Sequence, residues 1–157
     1  MKDLAVVPPL CCPVVIWLLR HAHAAKGSPD SERPLTGREQ ALAAGRALAV
    51  MGVSLDVCVS SPKGRARETA ALACEALGIE VVEDERLEGG PFDPHEVVDG
   101  HGEDVLLVGH DPDFSLAVNH LTGAQVRMPK GGLAGLERGE LMVLLRPSEL
   151  AALARAR

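Results

Sequence analysis

Aromatic residues are nearly missing from this chain of 157 residues, which has one tryptophan, two phenylalanines and no tyrosine. Trp17, Phe92 and Phe114 are too few to build a stacking platform for nucleic-acid bases. Positive charge is also scarce. Sixteen lysines and arginines stand against 22 acidic residues, and a formal charge of −6 disfavours broad binding of polyanions. No nucleic-acid partner is expected. Long apolar runs are lacking too. Residues 4–19 are mostly apolar, but Pro8, Pro9 and Pro13 interrupt them and Arg20 ends them. A membrane span needs about 20 apolar residues without such breaks, and no small-residue cleavage pattern precedes Arg20. The four cysteines are Cys11, Cys12, Cys58 and Cys74. The adjacent pair is a poor disulfide framework, and none has metal-ligand spacing to a histidine. These traits predict reduced thiols, a cytoplasmic protein, no cysteine-held metal and no membrane association.

What is present is a globular composition. Hydrophobic content is 46%, and the length fits one domain with a real core. With so few aromatics that core must be built from leucine, valine and alanine. Residues 1–13 read as a short N-terminal extension, and 14–157 as a single domain. The chain alternates strands and helices. Strands are predicted at 14–20, 55–60, 79–82 and 104–109, and helices at 37–51, 62–77 and 112–121. Thr36, Ser61 and Asp111 are placed as N-caps, and Gly52, Gly78 and Gly123 as stops. Residues 83–103 are acidic and weakly periodic, with at most a short helix near 94–99. The tail predicts a hairpin broken at Arg138-Gly139 and a terminal helix at 147–156. Alternation of this kind predicts an α/β fold, a three-layer α/β/α sandwich around a mostly parallel sheet.

The chemistry concentrates where apolar strands stop. Val14-Val15-Ile16-Trp17-Leu18-Leu19 runs into Arg20-His21. Val57-Cys58-Val59 runs into Ser60-Ser61-Pro62 and Arg65. Val105-Leu106-Leu107-Val108 runs into Gly109-His110. In a parallel sheet these ends share one edge, the edge at which open α/β sheets bind ligands. Arg20, His21, Arg65 and His110 would then form a pocket with two guanidinium and two imidazole groups. Arginine matches phosphate with a fork of donors, and histidine can act as nucleophile, acid or base near neutral pH. Helices starting after Ser61 and His110 would add their backbone N–H groups. A phosphate handled by an imidazole is the expected chemistry. His95 and His101 read as exposed, and His120 as a cation near a helix C-terminus. His23 is close enough in sequence to touch the pocket. A metal site would require several of the six histidines to converge, and no two have the close helical spacing of zinc ligands.

Leu19-Arg20-His21-Ala22, Ser60-Ser61-Pro62 with Arg65-Ala66 and Glu68-Thr69-Ala70, and Val108-Gly109-His110-Asp111-Pro112 together resemble the histidine phosphatase superfamily, whose fold is phosphoglycerate mutase-like. Arg33-Pro34-Leu35-Thr36-Gly37, Gln40-Ala41 and Lys130-Gly131-Gly132-Leu133-Ala134 are similar to the small, single-domain SixA-type phosphohistidine phosphatases. The resemblance covers about residues 14–147. It implies that His21 is the nucleophile and becomes transiently phosphorylated. It implies that Arg20 and Arg65 clamp the phosphoryl oxygens, that His110 hydrogen-bonds them in the transition state, and that no cofactor takes part. Two departures stand out. Thr36 runs directly into Gly37 where relatives usually have extra residues, and Ala22 replaces the glycine common in the wider superfamily.

Relatives that hydrolyse monoesters carry a glutamate as general acid, and Glu88 lies in roughly the corresponding segment. An alkoxide needs a proton in order to leave, whereas the imidazole of phosphohistidine is far less basic. The lack of a clear acid therefore favours a phosphohistidine-bearing protein as substrate. The alternatives are a small-molecule phosphomonoesterase, or a module that binds phosphate or phosphoprotein without catalysis. A mutase would need a definite acid and a closed site. Arg33 is a candidate for the pocket rim.

Overall fold

The computed structural model describes residues 14–26, 29 and 36–156. The predicted extension 1–13 and Arg33 lie outside the described residues. Along the chain come β1 (Val15–Arg20), α1 (Arg38–Val50), β2 (Val57–Ser60), α2 (Gly64–Leu77), β3 (Val81–Glu83), a 3-10 turn at Glu85–Leu87 and α3 (Pro94–Val98). Then come β4 (Asp104–Gly109), α4 (Asp113–Thr122), β5 (Leu133–Glu137), β6 (Glu140–Leu145) and α5 (Pro147–Ala154).

The six strands form one sheet in the order β3-β2-β4-β1-β5-β6. The first four in that order are mutually parallel, while β5 runs antiparallel to β1 and β6 antiparallel to β5. The hairpin turns where the sequence predicts it. Arg138 and Gly139 take φ of 55° and 74°, the left-handed pair that suits a two-residue connection.

Period-two alternation explains the layers. Ile16 and Leu18 face one side with Val105 and Leu107, where Val97, Val98, Phe114 and Val118 of α3 and α4 cover them. Trp17 and Leu19 face the other side with Leu106 and Val108, under α1, α2 and α5. Each large aliphatic side chain buried this way stabilises by about 1.5–3 kcal/mol. Alanines let α1 and α2 approach closely: a Cβ placed on Gly45 would collide with the carbonyl oxygen of Ala73.

The predicted caps are displaced, each for a visible reason. Thr36 and Gly37 both donate their N–H to the His23 carbonyl, 2.8 Å each, so α1 begins after Gly37 with no side-chain cap. The Ser61 hydroxyl accepts the N–H of Lys63, at 3.2 Å, ahead of the helix, and α2 starts at Gly64. Pro112 takes the cap position of α4, while Asp111 accepts the N–H of Ser115 at 2.9 Å. β3 lies further along than the predicted 79–82.

Candidate active site

Parallel register brings the strand ends together. Arg20 pairs with Gly109 across β1 and β4, so the residues that follow, His21 and His110, emerge side by side. Their ring centroids are 5.2 Å apart. Ser60 ends β2 opposite Val108, which sets Ser61 beside the same edge and starts α2 with Arg65 in its first turn. His21, Arg65 and His110 are only 5%, 6% and 6% exposed. Polar groups buried to that degree require partners, and the partners define the site.

The Nδ1 of His21 lies 2.8 Å from the carbonyl oxygen of Ala22. A carbonyl can only accept, so Nδ1 carries the proton. Nε2 is then a lone-pair nitrogen, and it accepts the Nε–H of Arg65 at 3.3 Å. Burial is the largest influence on the ring. The hydrogen bond to Ala22 opposes it, while the charges of Arg65, Arg20 and Lys130 add to it, and the His21 pKa falls to about 4. His21 is therefore neutral at pH 7, with its unprotonated nitrogen facing a guanidinium.

A surrounding set of bonds holds this geometry. Thr69 donates its hydroxyl to the carbonyl of Arg65 at 2.7 Å and accepts the N–H of Ala22 at 3.1 Å, tying α2 to the turn after β1. Gly131 donates to the carbonyls of Arg20 and His21, at 3.2 and 3.0 Å. It does so with φ at 80°, and a Cβ there would press on Gln40, whose amide oxygen accepts the N–H of His23 at 3.1 Å. His110 Nε2 is 2.8 Å from the hydroxyl oxygen of Ser61. Arg20 donates through Nη1 to the Met128 carbonyl at 2.8 Å. Its Nε is buried with no partner among the described residues. Burial lowers the Arg20 pKa, and the nearby charge of Asp111 counters that shift.

Arg20, His21, Arg65 and His110 are thus brought to one edge as the sequence predicts. Glu88 is exposed and follows the 3-10 turn, with only a backbone bond to Glu85 among the described residues. The side chains of His23, His95 and His120 are exposed, and His101 is half-buried. Of the two helix N-termini expected to favour an anion, α2 has no acid in its first turn. That of α4 is occupied by Asp111 and Asp113. The sequence signals no pocket role for Lys130, Ser61 or Thr69, or for the Met128 carbonyl. Ser61 reads there as a helix cap, and Lys130 and Thr69 stand only within the family motifs. No group of three or more His, Cys, Asp or Glu residues placed to hold a metal ion occurs among the described residues. Among the same residues no helix is long and apolar enough to cross a membrane.

A family model, the histidine phosphatase superfamily (branch 1), matches residues 16–93, which carry Arg20, His21 and Arg65. The chain belongs to the histidine phosphatase superfamily. Solved structures extend the likeness past the family match to the strand end that bears His110. A protein from Agrobacterium tumefaciens assigned as the phosphohistidine phosphatase SixA is 26% identical, with a TM-score of 0.76, over 86% of this chain and 99% of its own. A SixA assignment from Nakamurella multipartitia is 28% identical, with a TM-score of 0.71, over 92% and 91%. The protein histidine phosphatase SixA complexed with tungstate shares the fold at 20% identity, with a TM-score of 0.75, over 87% and 99%. No curated protein matches the chain significantly. Family membership makes this chain a phosphatase, with hydrolysis of a phosphoryl group as its reaction class.

Proposed function

We propose that this phosphatase works through a phosphohistidine intermediate on His21 and that its substrate is a phosphohistidine displayed on another protein. The neutral His21, with Nε2 turned to Arg65, carries the reading. The lone pair on Nε2 attacks phosphorus in line, a P–N bond forms to His21, and the bond to the leaving nitrogen breaks. The leaving imidazole takes a proton from water. A second water then attacks phosphorus, the bond to Nε2 breaks, and phosphate leaves with the neutral ring restored. Arg20, Arg65 and His110 hold the oxygens as charge shifts. The loss of one such donor costs about 3–4 kcal/mol in barrier. The unmet Nε–H of Arg20 is a donor that a phosphoryl oxygen would satisfy.

Two observations support a protein substrate. Residues 83–103, the candidate lid segment among the described residues, bury Leu87, Val97 and Val98 in the core. They also tie back to α4 through the Gly90 N–H and the Asp113 carboxylate, 3.1 Å apart. A segment tied down in this way is a poor lid, which favours a phosphoryl group displayed on a protein. Among the described residues Glu88 makes no side-chain bond that would aim it at the site, and a phosphoramidate needs no strong acid. The free, buried thiols of Cys58 and Cys74 fit a cytoplasmic setting.

The deciding experiment compares hydrolysis of a phosphohistidine-bearing protein with that of a simple phosphomonoester, using wild type, His21→Ala and Glu88→Gln. Preference for phosphohistidine, unchanged by Glu88→Gln and abolished by His21→Ala, is expected. Efficient monoester turnover lost in Glu88→Gln would instead make this a small-molecule phosphatase with Glu88 as its acid. Binding without turnover would leave the non-catalytic module.

A further inference from the structure

The Arg20 guanidinium is held by a loop. Its Nη1 donates to the carbonyl of Met128, and Met128 belongs to an irregular stretch, 124–132, between α4 and β5. What fixes Met128 is a side chain. Its N–H donates to the hydroxyl oxygen of Ser115 at 3.0 Å. That hydroxyl spends its own proton on the Asp111 carboxylate at 2.6 Å, and the same carboxylate oxygen accepts the N–H of Ser115. The donors all run one way, from guanidinium to carbonyl and from amide to hydroxyl to carboxylate. Each bond polarises the next in a partly buried setting. Asp111 directly follows His110, so one carboxylate stands at the root of two pocket residues. The rest of the stretch is pinned independently. Asn119 donates to the Ala124 carbonyl at 3.2 Å, and Thr122 accepts the N–H of Ala124 at 3.1 Å.

We propose that Asp111 and Ser115 are positioning residues, which act through Met128 to hold the Arg20 guanidinium at the phosphoryl site. This rests on the reading of Arg20 as a phosphoryl clamp. Ser115 touches no reacting atom. Its hydroxyl sets where the Met128 carbonyl stands, and that carbonyl anchors the guanidinium through Nη1 while Nε–H keeps no partner among the described residues. The charge of Asp111 also favours the cationic form of Arg20 against burial.

The test is a double-mutant cycle on the affinity for orthovanadate, an anion with the shape of a transferring phosphoryl group. Ser115→Ala should weaken vanadate binding about tenfold, the lower end of what supporting partners of a ligand-holding group contribute. Ser115→Thr, which keeps the hydroxyl, should restore it. In an Arg20→Ala background Ser115→Ala should change the affinity less than twofold. A helix-stability role alone would give the same fold-change in both backgrounds and overturn the proposal. Asp111→Asn keeps an acceptor and loses the charge, so it should fall between wild type and Ser115→Ala. If wild type binds no vanadate, the reading of Arg20 as a phosphoryl clamp fails separately. The relay is then judged by the Arg20 Nε–H resonance. A changed shift and faster solvent exchange in Ser115→Ala sustain it, and an unchanged resonance refutes it.

Discussion

Lowering the pH should destabilise this protein through His21 in a window set by its environment. In the unfolded chain the ring titrates near 6.5, and in the fold it does so at about 4. The neutral form is favoured on folding, so the unfolded state binds more protons between those values and stability falls as the pH drops through them. The gap of about 2.5 units, at 1.36 kcal/mol per unit, is about 3 kcal/mol, all present above pH 6.5 and gone below pH 4. Other groups titrate in the same range, so the quantity to measure is a difference. Denaturant unfolding of wild type and His21→Ala should be followed at intervals from pH 7.5 to 4. The alanine variant loses packing by an amount that does not depend on pH, and carries no ring to protonate. Wild type should therefore lose about 3 kcal/mol relative to the variant across the window, with a slope near 1.4 kcal/mol per unit at its steepest. A proton NMR titration of the ring gives the folded value directly. A midpoint near 6.5, with parallel stability curves, would refute the account of a ring held neutral by burial and flanking cations.

Arg65→Lys should not substitute for the arginine. One ammonium cannot reach Nε2 of His21 and also present a planar fork to phosphate, so kcat/KM should drop about 100-fold or more in the phosphatase assay. Thr69→Val leaves the buried N–H of Ala22 without an acceptor, at about 1–3 kcal/mol in chemical denaturation, and should slow phosphoenzyme formation by loosening the turn that holds the Nδ1–H of His21. Gly45→Ala forces α1 away from the Ala73 carbonyl, which should cost about 1–3 kcal/mol and lower Tm by several degrees in a thermal scan while the pocket chemistry persists.

The parts of the fold legible in sequence are those governed by burial alone. β1, β2 and β4 are central strands, sealed on both faces, so each reads as an apolar run with a charged or imidazole residue at its end or within a few positions of it. The predicted pocket follows from that and from parallel register. Helix starts were less legible because their polar residues have two possible employers. Ser61 looks like a cap, but its hydroxyl is engaged by His110. Asp111 looks like a cap for the next residues, but it reaches Ser115 instead. A sequence shows which groups can bond, while three-dimensional competition decides which bonds form. The Met128 carbonyl had no signal at all, since every residue supplies one.

The reversal of β5 is what lets residues 128–131 serve the site. Leu133 opens β5 opposite Leu19, near the end of β1, because the two strands run antiparallel. The chain leading into β5 must therefore arrive at the edge where Arg20 and His21 emerge. Gly131 reaches their carbonyls, Met128 reaches the guanidinium, and Lys130 contributes its charge to the lowering of the His21 pKa. Had β5 been parallel to β1, its N-terminal end would sit at the opposite edge of the sheet. The strand length would then separate those residues from the pocket, about 3.3 Å for each residue of β5. One antiparallel strand beside a parallel set thus supplies a second layer of support without a longer chain. The parallel strands bring the reacting groups to the edge, and the reversed strand brings the backbone that orients them.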